Sequence, residues 1–423
     1  MKQISTKNYI YLFRFFAFFT ILVSLQSCKK DAEVVASVPA PGTLISYDYI
    51  KTFDVAELGE TGNSRLAEFL KGTKMSIPSY SARFQSPKFS VKVYRVAYNS
   101  IIPETGNTPV VAYGLIAIPE SGSDTMSMIS YQHGTVFSKY WSPSYLDSSM
   151  ETELMIAQFA SQGYILIAAD YFGVGPKSSV NNTYFVRYST EQACLDMYKA
   201  SKEILQKEKL VSNKFFINGW SQGGYNTMLF LRRLEQEKIK VNAAFTAAAP
   251  VDPLLFVTRG LFNPRDIDAF YTAGALCNLM FSIEKYNNIE GLTRRYIRSD
   301  YYETARKLYN FEIPFEAFIS KVPIALDKVF TETFYAEART ASSPLFQILA
   351  RSEAYKWFSS TPLRAYYGLM DEAVPENIAS LGVNYMKAIG KTDAEAFSAG
   401  QEADHRATYV ESILDAKAWI DSF

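Results

Sequence analysis

The sequence has little of several residue types on which protein chemistry commonly depends. Its 423 residues include only two histidines, His133 and His405, and three cysteines. Histidine catalysis must therefore use one of two positions, and no group of histidine, cysteine and acidic residues has the spacing of a metal site. The glycine pattern at Gly173 and Gly175 is too incomplete for a dinucleotide site, and no P-loop lysine follows it. We predict that the protein needs neither a metal nor another cofactor.

An excess of one charge sign is also missing, because 43 lysine and arginine residues balance 43 aspartate and glutamate residues. No overall field would attract a polyanion, so we predict no nucleic-acid partner. Apolar residues make up 48% and charged residues 20% of the chain, which is a globular composition. The length suits one large α/β domain with an insertion, or two domains. Cys194 and Cys277 are expected to be buried free thiols.

The apolar run at residues 15–25 is too short to span a membrane, but it follows three basic residues and has the length of a signal-peptide core. It leads into Leu-Gln-Ser-Cys, which resembles the lipobox of bacterial lipoproteins. The resemblance implies a signal peptide at residues 1–28, lipidation of Cys28, and a lipid anchor in the outer membrane of a bacterial cell envelope, facing the periplasm or the surface. Residues 29–45 would form a tether. The alternative is an ordinary signal peptide with an incidental cysteine.

A serine flanked by glycines lies between a predicted strand and a predicted helix. Residues 215–217 form a short apolar run typical of a buried strand, and apolar residues recur at helical spacing after Ser221. Gly219 and Gly223 allow a sharp turn and close packing of the strand against the helix. The Ser221 hydroxyl would then project from the sheet as a nucleophile. Alternatively, Ser221 would only cap the helix that follows.

Strand and helix patterns alternate along most of the chain, which indicates an α/β domain. The first two predicted strands are expected to pair antiparallel. The predicted strands are residues 91–96, 110–118, 126–131, 164–169, 215–217, 241–248, 363–367 and 394–398, and the predicted helices include residues 151–162, 189–207, 375–388 and 406–420.

Residues 254–356 interrupt this alternation with helical runs such as 267–286 and 302–308, rich in aromatic residues. A cap inserted between two strands at the carboxyl edge of a parallel sheet would cover the place where ligands bind in such sheets. Its aromatic side chains would then line the substrate site. The alternative is a helical excrescence on the surface that does not contact the pocket.

Serine catalysis needs a base that takes the hydroxyl proton and an acid that orients the base. Asp371 lies on a predicted loop after a strand, and His405 lies on a predicted loop before the last helix. The chain order Ser221, Asp371, His405 is that of α/β-hydrolases. Alternatively, His405 would be a surface histidine and Asp371 a helix cap. The rival candidates for the acid are Glu372, Asp252 and Asp404.

Together, the elbow at Ser221, the His133-Gly134 loop, the G-x-x-D-x-x-V-P segment at Asp371 and the terminal His405 resemble an α/β-hydrolase over residues 85–423. Secretory-lipase-like proteins and related esterases are most similar in elbow and cap. The resemblance implies a mostly parallel sheet with helices on both faces and a helical cap insertion. The core would comprise residues 46–253 and 357–423, and the cap residues 254–356. The backbone N–H groups of Gln222 and Thr135 would form the oxyanion hole, while His133 is expected to order its loop.

The resulting hypothesis is a membrane-anchored serine esterase or lipase that acts through an acyl-enzyme. Its partner would be a small-molecule, lipid or glycan ester. One alternative is a serine peptidase of the prolyl-oligopeptidase type, although too few residues precede the first predicted strand for the β-propeller such enzymes carry. A second alternative is a catalytically silent lipoprotein that binds a ligand on the same fold.

Overall fold

The computed structural model describes residues 39–423. The predicted signal peptide, the lipidation site Cys28 and most of the predicted tether lie outside the described residues, so those expectations remain predictions. Between residues 39 and 423, no helix is long and apolar enough to cross a membrane. In the same range, no group of three or more histidine, cysteine and acidic residues is arranged to hold a metal ion. Cys194 and Cys277 are free and buried, as expected.

Nine strands form one sheet in the described part of the chain, in the order β1-β2-β3-β5-β4-β6-β7-β8-β9. The first three strands and β5 pair antiparallel, and β5, β4, β6, β7, β8 and β9 are parallel to one another. The predicted mostly parallel sheet with an antiparallel entry is therefore confirmed. The strands are β1 Leu44–Phe53, β2 Val91–Ile102, β3 Thr108–Pro119, β4 Thr125–Gln132, β5 Tyr164–Ala169, β6 Val211–Trp220, β7 Ala243–Ala247, β8 Leu363–Tyr367 and β9 Ala394–Ser398.

Helices of the core precede and follow a helical segment between β7 and β8. The core helices are α1 Val55–Phe69, α2 Ile77–Ser81, α3 Met150–Gln158, α4 Arg187–Lys207 and α5 Gln222–Gln236, then α14 Glu376–Ala379, α15 Leu381–Ala388 and α16 His405–Asp421. The segment between β7 and β8 contains α6 Pro253–Phe262, α7 Thr272–Tyr286, α8 Leu292–Tyr296, α9 Ser299–Tyr309, α10 Phe315–Ile319, α11 Leu326–Val329, α12 Glu332–Thr340 and α13 Pro344–Arg351. We call this segment the cap.

The sheet is covered on both faces because successive side chains of a strand point in opposite directions. Phe215 and Ile217 of β6 belong to an apolar core shared with α4 and α5, whereas Phe216 belongs to the opposite core, shared with α1, α3 and α16. Strand β6 is therefore apolar on both faces at these positions, as buried strands of α/β proteins usually are.

Several predicted boundaries differ from the structure. The chain enters the sheet at Leu44, inside the predicted tether, and β1, α1 and α2 occupy a region in which no helix or strand was predicted. The predicted helix 375–388 is two helices that meet at Ser380, and the predicted helix 267–286 begins only at Thr272. His405 does not precede the last helix: it is the first residue of α16, because Asp404 caps that helix through the Ala407 N–H.

The close approach of α5 to β4 explains one glycine of the serine motif. A Cβ atom on Gly223 would lie 1.8 Å from the carbonyl oxygen of Gln132 in β4 and 2.6 Å from that of His133. Both contacts are with backbone, which cannot rotate away. The first turn of α5 can therefore pack at this depth only without a side chain.

We expect Gly223→Ala to lower the free energy of unfolding by about 1–3 kcal/mol, because the helix or β4 must shift to admit the methyl group. Gly59→Ala in α1 is the matched control, since a Cβ there meets no atom within 4 Å. The control should be neutral or stabilising by up to about 1 kcal/mol. Chemical denaturation of both variants measures the difference, and equal stabilities would contradict this packing.

Candidate active site

Ser221 lies at the sharp turn between β6 and α5. Its backbone has φ 57° and ψ −122°, a region that non-glycine residues rarely adopt. The Ser221 N–H donates to the Ala247 carbonyl of β7 at 2.9 Å, which fastens the turn to the neighbouring strand. Gln222 is the first residue of α5. Strain of this kind persists where the surrounding structure enforces it, and it is typical of a nucleophile elbow.

Asp371 and His405 are adjacent in the structure. The Nδ1 atom of His405 lies 3.0 Å from each carboxylate oxygen of Asp371. The carboxylate is fully buried and also accepts the N–H groups of Ala373 and Val374, at 2.9 and 2.8 Å. Because Nδ1 faces Asp371, the Nε2 atom on the other side of the ring is left for another partner.

Each rival for the acid has a different partner. Asp252 caps α6 through the Leu255 N–H, and Asp404 caps α16 through the Ala407 N–H. The Glu372 carboxylate accepts the backbone N–H of His405 at 3.0 Å, so it holds the main chain and not the ring. Of the four carboxylates, Asp371 alone is hydrogen-bonded to the imidazole in the described part of the chain.

The two histidines have opposite electrostatic surroundings. Burial lowers the pKa of His405, but the charge of Asp371 and its hydrogen bond outweigh burial, so the pKa is raised overall. Glu372 and Asp404 add to this increase. Burial lowers the pKa of His133 to about 4, and the hydrogen bonds of its ring with the Asp170 and Gly134 carbonyl groups offset this only in part.

His133 is the first residue of the loop that follows β4. Its ring nitrogens face the carbonyl oxygens of Gly134 and Asp170, at 2.8 and 3.2 Å, and the ring stacks on Tyr171 with 4.2 Å between centroids. These contacts fit the expected structural role in ordering the loop. The ring is neutral and buried, and it does not line the cavity next to Ser221.

The loop after β4 is also held by a partly buried carboxylate that the sequence did not indicate. Glu151, in the first turn of α3, accepts the Gly134 N–H at 2.9 Å and the Tyr131 hydroxyl at 2.5 Å. Burial raises the pKa of Glu151. The side chain of the next loop residue, Thr135, is hydrogen-bonded to the Tyr184 hydroxyl at 2.8 Å. The loop is thus fixed from two sides.

A cavity of about 360 Å³ brings these elements together. Ser221, His405, Gln222 and Thr135 all line it, and its volume is near the lower end for small-molecule pockets. The Ser221 hydroxyl makes no hydrogen bond to another side chain among residues 39–423, and the bond from Ser221 to His405 Nε2 that serine catalysis needs is therefore not formed in this structure. Catalytic hydrogen bonds often tighten only when substrate is bound.

The walls of the cavity come from both the core and the cap. Nine of the lining residues are aromatic. The cap supplies Phe256, Phe270, Tyr271 and Phe315, and Phe315 stacks on Phe137 of the core with 4.1 Å between ring centroids. The cap therefore contacts the pocket and is not a remote excrescence. The charged side chains on the lining are Glu372, His405 and Arg406, of which the last two lie at the start of α16.

Trp220 also belongs to the site, and no role was predicted for it from the sequence. Its ring packs on the His405 ring with 4.8 Å between centroids, and its indole N–H donates to the His405 carbonyl at 3.0 Å. Trp220 immediately precedes Ser221, so its position at the end of β6 was the available signal. No such signal in the sequence indicated Glu151, because α3 and the loop after β4 come together only in the folded protein.

Comparisons with known proteins agree with this architecture. The sequence model of the prolyl oligopeptidase family matches residues 150–274, less than a third of the chain. The esterase LipA of Xanthomonas oryzae, which degrades rice cell walls, aligns with a TM-score of 0.77 at 18% identity, covering 91% of this chain and 100% of LipA. Candida antarctica lipase A aligns with a TM-score of 0.62 at 17% identity, covering 89% of this chain and 83% of the lipase. No match was found among curated protein sequences.

At these identities the two structures establish the fold alone, and they confirm the predicted α/β-hydrolase fold.

Because the chain has two histidines, their protonation can be followed separately after ¹⁵N labelling of histidine. We expect one ring to titrate at about pH 4 and the other above the ordinary histidine value of about 6.5. His405→Ala should remove the higher titration, since Asp371 raises the pKa of that ring. NMR of the ring nitrogens measures both values. Two rings that titrate together near 6.5 would contradict the contrasting environments.

Proposed function

We propose that this α/β-hydrolase cleaves carboxylic esters, with Ser221 as nucleophile, His405 as general base and Asp371 as the acid that orients the base. The observation that carries the proposal is the Asp371–His405 hydrogen bond at 3.0 Å on the wall of the cavity that also contains Ser221. A strained serine, an imidazole with its Nδ1 atom occupied and a buried carboxylate are the parts of a serine hydrolase.

The mechanism follows from the hydrogen bonds. His405 Nε2 takes the proton of the Ser221 hydroxyl as its oxygen attacks the substrate carbonyl carbon, and Asp371 stabilises the resulting imidazolium. The N–H groups of Gln222 and Thr135 bind the oxyanion of the tetrahedral intermediate. His405 then gives the proton to the leaving alcohol, and water, activated in the same way, releases the acid from Ser221. A neutral imidazole is required, so activity should fall as the pH drops through the raised pKa of His405.

The cavity favours an ester with an apolar acyl group. Its aromatic walls, including Phe137, Phe256 and Phe315, would bind hydrocarbon or aromatic groups by burial of apolar surface. The volume of about 360 Å³ suits a small or medium-sized ester better than one with a long, fully enclosed chain. The likeness to LipA and to a lipase supports esters as the substrate class.

A serine peptidase is the second candidate, because the prolyl oligopeptidase family model matches residues 150–274. Both candidates share the acyl-enzyme chemistry, and they differ only in the leaving group. Peptide amides therefore belong in the same assay as esters.

We expect p-nitrophenyl esters of graded chain length to be hydrolysed, with a preference for short and medium chains because of the cavity volume. Ser221→Ala should lower kcat by about 10⁶-fold, and Asp371→Asn by about 10⁴-fold, as in other serine hydrolases. Steady-state kinetics on purified protein measure both, and labelling by a fluorophosphonate probe reports on Ser221 directly.

Asp252→Asn is the matched control for Asp371→Asn, since asparagine also caps helices and the Asp252 carboxylate contacts the Leu255 N–H and the Tyr355 hydroxyl instead of a histidine. Its activity should equal that of the parent protein. Full turnover by Ser221→Ala would refute the nucleophile, and cleavage of peptides without ester hydrolysis would favour the peptidase.

We also propose that lipid on Cys28 anchors the protein to a membrane of the cell envelope. The support is the sequence pattern alone, a basic and apolar segment that ends in Leu-Gln-Ser-Cys.

For this anchor, Cys28→Ser should move the protein from the membrane fraction to the soluble fraction of cells, because no acyl chain can be attached. Cys194→Ser is the matched control, since that thiol is buried in the folded domain and should leave the membrane fraction unchanged. Fractionation followed by immunoblotting measures the distribution. Membrane retention of the Cys28→Ser protein after signal cleavage would refute the anchor.

A further inference from the structure

The cap is hydrogen-bonded to the loop that carries Asp371. We call residues 368–375 the acid loop. The guanidinium of Arg265, in the cap segment 263–271 between α6 and α7, donates from Nη2 to the Asp371 carbonyl at 2.8 Å. The Ala269 N–H of the same segment donates to the Glu372 carbonyl at 2.9 Å. Two consecutive carbonyl groups of the acid loop are therefore bound by one segment of the cap.

Arg265 is itself held in place by a carboxylate. Asp268 accepts the backbone N–H of Arg265 at 2.9 Å and its Nε at 3.0 Å. Arg259, near the end of α6, donates to both oxygens of Asp268, at 2.7 and 2.5 Å. Arg265 uses different nitrogens of its planar guanidinium for Asp268 and for the Asp371 carbonyl. A lysine ammonium, as a single point charge, does not reproduce this forked geometry.

The same segment also forms a wall of the substrate cavity. Phe270 and Tyr271 follow Ala269 directly and line the pocket. A displacement of residues 263–271 would therefore change the pocket wall and the support of the acid loop together.

We propose that Arg265 is a positioning residue, which fixes the backbone of Asp371 so that its carboxylate meets the His405 ring. The inference rests on the proposed function, because alignment of this pair matters for catalysis only if Ser221 and His405 act as proposed. It adds a role for the cap: besides shaping the pocket, the cap sets the geometry of the acid.

The effect of the Arg265 hydrogen bond on the titration of His405 would be larger than that of an ordinary surface hydrogen bond. The imidazole meets the Asp371 carboxylate at 3.0 Å, and its own backbone N–H binds the Glu372 carboxylate, so both contacts start from the acid loop. The charged groups that influence the ring are Asp371, Glu372, Asp404 and, from α3, Glu151. Loosening the loop moves the first two away from the ring without removing any charge from it.

The test compares Arg265→Lys and Arg265→Met with two controls. Arg306→Met removes an arginine elsewhere in the cap, whose ion pairs with Glu303 and Glu312 are at the surface. Phe270→Ala removes part of the pocket wall but leaves the hydrogen bond to Asp371. Arg265→Lys keeps the positive charge near the site, so its effect reports on geometry rather than on charge.

With p-nitrophenyl acetate as substrate, both Arg265 variants should lower kcat by about 10- to 100-fold, the scale expected when a catalytic group is slightly misplaced. KM should change less. In the same Arg265→Lys protein, the His405 ring should titrate at a lower pH than in the parent, because it keeps less of the contact with Asp371. Arg306→Met should match the parent in both measurements. Phe270→Ala should raise KM for larger esters and leave the His405 titration unchanged.

Thermal unfolding shows whether each variant is folded, and Arg265→Lys remains informative if Arg265→Met is not. The proposal is overturned if the folded Arg265 variants match Arg306→Met in kcat and in the His405 titration, or if Phe270→Ala shifts that titration as much as Arg265→Lys does. Failure of the proposed function would look different: Ser221→Ala would keep full activity, while the NMR titration of His405 would still report on Arg265.

Discussion

The buried carboxylate of Asp371 depends on a fixed set of donors, and the architecture around the cavity provides them. A carboxylate removed from water is stable only if hydrogen bonds and charge replace its hydration. The Ala373 and Val374 N–H groups come from the same loop, whereas the His405 ring comes from another part of the chain. The acid loop and the start of α16 must therefore stay together. The Met370 N–H, which donates to the Ala403 carbonyl at 3.0 Å, joins them directly.

The cap completes this arrangement from two sides of the cavity. On the side of the loop after β4, Phe315 stacks on Phe137, two residues after Thr135. On the side of the acid loop, Arg265 and Ala269 bind consecutive carbonyl groups. The same cap segment therefore contributes to the shape of the pocket and to the geometry of the proposed triad. A change in the cap can therefore affect the chemistry without touching a reacting atom.

The strands β4 to β7 could be predicted well because most of their residues are buried and appear as short apolar runs. β1 could not be predicted in this way, since Leu44–Phe53 is an edge strand with half-buried, polar and charged residues. The helix α1 contains Gly59 and Gly62, which weaken its helical pattern. Pairing with β2 and packing of Leu58 and Leu66 against the sheet stabilise these elements, and such tertiary contacts leave little trace in a local pattern.

The candidates for the acid show which carboxylates the local sequence pattern could exclude and which it could not. Asp252 stands directly before a proline at the start of α6, and Asp404 stands three residues before the N–H that it caps, so helix-capping rules could have removed both from consideration.

Helix-capping rules could not exclude Glu372 as the acid, because its hydrogen-bond partner is the His405 N–H, 33 positions along the chain. The same limit applies to Arg265, since its hydrogen bond to the Asp371 carbonyl joins residues 106 positions apart. Chain order indicated the residues of the proposed triad, but the contacts that hold these residues in position form only when the cap and the core pack together.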